Sequence, residues 1–199
     1  MKFKYLLGYP SEMLAQVQGL VESGHLAAVV AQCHPDAHAV RSERALYDYV
    51  SEMKARHMRS APPLAKVAYD PQLHLLRNAL GTHSAVSRVQ GTQLKAKREI
   101  RIAALFKDAP ADFLRAIVVH ELAHLKEREH GRAFYALCLH MEPDYHQLEF
   151  DLRLWLTARE LAHLLNNDLA IVVGNVDMLG SRPVMSADER EALRDAEEG

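Results

Sequence analysis

The chain has 199 residues, 49% of them hydrophobic and 25% charged, with a formal net charge of −2. That length accommodates one domain plus an appendage, and the near-zero charge excludes a global field of the kind that draws a protein onto nucleic acid or an anionic membrane. No unbroken apolar stretch reaches the ~20 residues of a membrane span, and Cys33 and Cys138, far apart and outside any CxxC pair, predict a reducing cytoplasmic setting without a disulfide framework.

In chain order, MKFKYLLGYP meets Gly8 and Pro10 before any signal-type apolar core can form, so no leader is expected. Ser11 to Ser23 carries Met13, Leu14, Val17, Leu20 and Val21 at helical spacing, and Arg41 to Arg59 carries Leu46, Val50 and Met53 in the same way. Both predict amphipathic helices. Pro62 and Pro63 break the pattern, and Leu64 to Tyr69 reads as a short strand before the Asp70-Pro71 turn. Ala85 to Gln90, a turn at Gly91-Thr92, and Glu99 to Phe106 have β texture and predict a small sheet. A helix starts near Ala111 with Asp112 in its first turn, a further one covers Arg132 to Met141 and stops at Pro143, and a last one covers Gln147 to about Leu156. The expected division is a domain over residues 1–157 and a helical C-terminal extension over residues 158–199, whose acidic end, Asp188 to Glu198, is expected to fray.

The chemistry concentrates in Val118 to Phe134, VVHELAHLKEREHGRAF. Residues four apart on a helix lie roughly 40° apart around the axis, so His120 and His124 can aim two imidazoles at one ion. Zinc accepts such ligands, and Glu121 falls where a carboxylate can take a proton from water without binding the metal. The surrounding Ala116 to Val119, Leu122 and Ala123 form an apolar helix that must be packed inside, where two histidines and a glutamate are costly unless paired or coordinated. A tetrahedral site needs a third ligand. Glu127 lies in the same axial row and cannot close the site. His130 is preferred, on the expectation that Gly131 ends the helix at positive φ and turns the chain back. His140, His146, Glu142 and Glu149 are the rivals.

HELAHLKEREHGRAFYALC, followed by HMEPDYHQLEFDLRLWL, resembles the YgjP-like metal-dependent hydrolases, relatives of the SprT-type and WLM-type minimal zinc peptidases. The likeness continues upstream through NALGTHSAVSRVQGTQLKAKREIRIAALFKDAP and covers residues 3–157, with Leu80 to His83 standing where many relatives carry Trp-Gly-Ser. The resemblance implies an α+β, compact zincin-like core with a small β-sheet, zinc (Zn2+) on His120, His124 and His130, and Glu121 as the catalytic base. It also implies a metallopeptidase acting on a peptide or protein, with Glu99 to Leu105 as an edge strand that receives an extended peptide. The alternatives are hydrolysis of a non-peptide substrate such as a nucleotide di- or triphosphate, and a non-catalytic metal-binding module. Tyr145, His146 and His83 are candidate second oxyanion donors. The basic cluster Lys95, Lys97, Arg98 and Arg101 reads as a solvated edge in preference to a nucleic-acid face. In the tail, His163, Asn166 and Asn167 are similar to the phosphoacceptor helix of sensor histidine kinases, but Leu164 replaces the acidic residue usual there. Docking on the core or pairing two copies into a homodimer is the preferred role for this helix.

Overall fold

The computed structural model describes residues 3–73, 81–90 and 93–180, with side chains described for 3–73, 98–167, 169 and 170. The expected turn at Gly91-Thr92, Leu80, the side chains of His83, Lys95 and Lys97, and the acidic Asp188 to Glu198 lie outside these. The chain divides into two compact units, residues 1–158 and 159–199.

The first unit opens with α1 (Ser11–Glu22) and α2 (Leu26–Cys33), then α3 (Glu43–His57), whose Ser42 hydroxyl accepts from the Ala45 N–H as an N-cap. Strands β1 (Leu64–Asp70), β2 (Gly81–Gln90) and β3 (Gln93–Ala103) form one sheet in the order β1-β3-β2, β1 parallel and β2 antiparallel to β3. This corrects one expectation: the strand containing Glu99 is interior, paired through Val67↔Ile100 on one side and His83↔Ile100 on the other, so no peptide can add beside it. A 3-10 turn, Ala104–Asp108, replaces the end of the expected strand and leads to α4 (Ala111–Ala123), α5 (Arg132–Met141) and α6 (Tyr145–Gly180). None of the helices among the described residues is long and apolar enough to cross a membrane.

Helix α4 is the hub. From Phe113 to Ala123 every residue except Arg115 is buried, so the helix is surrounded on all sides. It packs on α3, α5 and β3, with Leu46, Val50, Ile100, Ile102, Phe106, Phe134 and Leu152 in the same core. Arg101 is paired with Asp70 and Glu99, each at 3.2 Å, and Lys66 approaches Glu99 at 3.8 Å. Of the expected basic cluster, Arg101 is therefore neutralised within the sheet. In the second unit the helical residues present Leu164, Leu165 and Leu169 to solvent.

Candidate metal centre

The helix carrying HELAH ends earlier than the sequence suggests. His124 is its C-cap, with its N–H still bonded to the His120 carbonyl at 3.3 Å. Terminal carbonyls need partners once the helical ladder stops, and here the fold supplies them without glycine. Leu125 N–H donates to Leu122 O, Lys126 N–H and Glu127 N–H donate to Ala123 O, and the Arg98 guanidinium of β3 donates to Leu125 O. The Nδ1–H of His124 donates to Glu127 O at 2.9 Å. A loop through Glu129 then brings His130 back over the helix end. Gly131 takes no part in a left-handed turn: its φ is −90°, and it is the N-cap of α5. The positive φ expected there is overturned because the reversal is already complete at residues 124–127.

The three imidazoles meet at their Nε2 atoms. His120 and His124 approach to 3.2 Å, His120 and His130 to 3.2 Å, and His124 and His130 to 3.1 Å. Among the described residues, this is the group of histidine, cysteine or carboxylate side chains that could hold a metal ion. The spacing fits zinc. At the ~2.0–2.1 Å bonds zinc makes to imidazole, two ligands of a tetrahedral ion sit about 3.3 Å apart. A carbonyl can only accept, so the Glu127 carbonyl fixes the hydrogen of His124 on Nδ1 and leaves an Nε2 lone pair pointed at the other two rings. Three imidazole nitrogens converging at this spacing suit a shared cation. Phe134 of α5 supports the arrangement, its ring centroid 5.0, 4.6 and 4.7 Å from those of His120, His124 and His130.

Charge and burial agree with the geometry. Burial, and then the neighbouring His124 and His130, push the His120 ring down to about 2, keeping it neutral and able to ligate. Burial also lowers His130, with His124 adding to the effect. Glu121 is 1% exposed, and neither carboxylate oxygen has a hydrogen-bond partner. Burial pushes its carboxyl up to about 8. An orphaned carboxylate is expensive to keep in a core, and it is tolerated where function uses it.

The rival ligands are engaged elsewhere. Glu142 pairs with Arg115, and Glu149 pairs with Arg153 at 2.6 Å. His140 is exposed and touches His57, and His146 packs on Tyr135. Tyr145, expected as an oxyanion donor, is 1% exposed, and its hydroxyl lies 2.8 Å from His120 Nδ1, behind the site. The roles of the Glu127 and Leu125 carbonyls are not legible in the sequence, because a backbone acceptor leaves no trace in residue type.

A family model described as YgjP-like, metallopeptidase domain matches residues 37–154, more than half of the chain and inclusive of His120, Glu121, His124 and His130. A UTP pyrophosphatase of Escherichia coli (strain K12) is 57% identical over 157 residues, which are 79% of this chain and 94% of that protein. No solved structure matches the chain.

Proposed function

Because this chain belongs to the YgjP-like family, we propose that it is a zinc-dependent hydrolase of a nucleoside triphosphate, with UTP the first substrate to test. The observation that supports the chemistry is the convergence of three imidazole nitrogens beside a buried carboxylate with no other partner. The choice of substrate is supported by the 57% identical relative, a UTP pyrophosphatase.

In this reading His120, His124 and His130 hold the metal through Nε2. Zinc supplies Lewis acidity there, polarising an oxygen and making water a better nucleophile near neutral pH. Burial disfavours the charge of Glu121, but a dication held beside it would favour the ionised form, and Glu121 would then receive the proton of the attacking water at an oxygen that no other hydrogen bond occupies. The water oxygen adds to phosphorus, the anhydride P–O bond breaks with its electron pair leaving on pyrophosphate, and the nucleoside monophosphate is the other product. Phe134 and the buried α4 wall exclude bulk water from the inner side of the site.

A second reading, peptide hydrolysis by the same groups, is supported by the family's description as a metallopeptidase domain. The interior position of β3 removes the strand that was expected to receive the peptide. The two readings separate when zinc-loaded protein is given UTP or casein, with pyrophosphate and new amino termini as the respective readouts. Pyrophosphate release from UTP is expected; casein cleavage without UTP turnover overturns the proposal in favour of the peptidase.

A further inference from the structure

We propose that Tyr145 is a positioning residue for the metal centre: its phenolic oxygen accepts the Nδ1–H of His120 and so holds that ring in the tautomer whose Nε2 lone pair faces His124 and His130. This rests on the metal-centre reading above and adds to it the group that sets one ligand's tautomer.

The contact is short and sealed. Tyr145 Oη lies 2.8 Å from His120 Nδ1, Tyr145 is 1% exposed and His120 4%, so water cannot substitute for the phenol. A neutral imidazole has one N–H, and whichever nitrogen carries it offers no lone pair. The Nε2 of His120 lies 3.2 Å from the Nε2 atoms of both His124 and His130. Placing the hydrogen on Nε2 would spend it in the cluster and leave Nδ1 to accept from Tyr145. Placing it on Nδ1 makes Tyr145 the acceptor and frees Nε2 for a metal.

His124 shows the same design with the ambiguity removed, since its Nδ1 faces the Glu127 carbonyl at 2.9 Å and must donate. A tyrosine can donate or accept, so it needs somewhere to send its own hydrogen. Cys138 of α5, a neighbour that acts electrostatically on the Tyr145 hydroxyl, offers a sulfur that can accept it. Burial raises both the Tyr145 phenol and the Cys138 thiol, the latter to about 12, so both stay neutral. Tyr145 opens α6, its N–H bonded to Glu142 O at 3.0 Å just after Pro143, and this start of the helix fixes where the phenol lies behind the site. Partners of this kind orient a ligating imidazole and raise its basicity, and their loss typically costs about 10–100-fold in metal affinity.

The test is Tyr145→Phe, which keeps the ring and its packing and removes the oxygen. Long-range 15N NMR of the metal-free protein reads the tautomer, and zinc competition against a chelator reads affinity, with circular dichroism as the folding control. In wild type, His120 is expected to carry its hydrogen on Nδ1. In Tyr145→Phe the spectrum should shift toward the Nε2–H form, and zinc affinity should fall about 10–100-fold. An Nε2–H tautomer at His120 in wild type overturns the proposal even if the variant does not fold. Unchanged tautomer in a folded variant overturns it as well, whether affinity holds or falls, because any loss would then come from packing. Wild-type protein that binds no zinc removes the metal-centre reading itself, an outcome distinct from zinc-binding protein indifferent to Tyr145.

Discussion

Two buried histidine environments in this chain have opposite surroundings. At the end of α4, His120, His124 and His130 turn their Nε2 atoms on one another at 3.1–3.2 Å, and no acidic oxygen enters the cluster. Far upstream in sequence, His34 lies between two carboxylates, its Nδ1 2.7 Å from Asp112 and its Nε2 3.1 Å from Asp151. The first group brings three imidazole nitrogens to a common point that suits a cation. The second has a carboxylate oxygen facing each ring nitrogen and is completed by the protein itself, bridging the end of α2 to the first turn of α4 and to α6. Burial is similar, 4% exposed for His120 and 8% for His34, so burial does not distinguish a ligand from a latch. What each ring nitrogen faces does.

The largest effect is expected at the carboxyl group beside the cluster. Glu121→Gln should lower UTP turnover by about 10²–10⁴-fold while zinc content is kept, because the amide preserves shape and cannot take the proton. Turnover near wild type in a zinc-loaded variant would remove Glu121 from the mechanism.

The latch is sharpened by His34→Ala, which strands two acceptors that water reaches only in part and should cost about 2 kcal/mol in urea unfolding. Zinc affinity should not change. Loss of zinc in a folded variant would show the two histidine sites to be coupled.

Glu142→Ala tests whether a rival carboxylate serves the centre. It removes one of two carboxylate partners of a half-exposed Arg115, Asp112 being the other, and should cost about 1 kcal/mol of stability with chelator competition unaltered. Weaker zinc binding would make Glu142 part of the site after all.

The smallest effect is expected at Gly131. With φ at −90° and no atom within 4 Å of an added Cβ, Gly131→Val should shift stability by no more than about 0.5 kcal/mol and leave zinc affinity alone. A large loss of affinity would restore a backbone role for this glycine.

The parts of the molecule that were legible in the sequence are those with long, single-period signals. Arg132 to Met141 is a helix over the range its apolar spacing predicted, and α1, α3 and β1 agree to within a residue or two at their ends. Helix α2 was missed because LAAVVAQC is a short apolar run with no clear period, which helix and strand share. The last helix runs from Tyr145 to Gly180 because nothing after Leu156 stops it: the next proline is Pro183. Strand order could not be read, since pairing depends on which apolar faces meet and not on any one strand's pattern, and β3 therefore passed for an edge. At the site, the histidines and Glu121 were visible through residue type and spacing, and the structure brings the three imidazoles together. Tyr145's place behind His120, 25 residues away in sequence, is a product of tertiary packing that no local pattern encodes.

In the proposed reading the three-imidazole cluster, and not the carboxylate-flanked histidine, holds the metal. The most direct measurement is elemental analysis of wild type, His34→Ala and His130→Ala, each expressed with zinc supplied and purified in parallel, with circular dichroism confirming the fold. One zinc per chain is expected in wild type and in His34→Ala, and little or none in His130→Ala, where two imidazoles remain. Metal-free wild type, or zinc retained in full by folded His130→Ala, would contradict it.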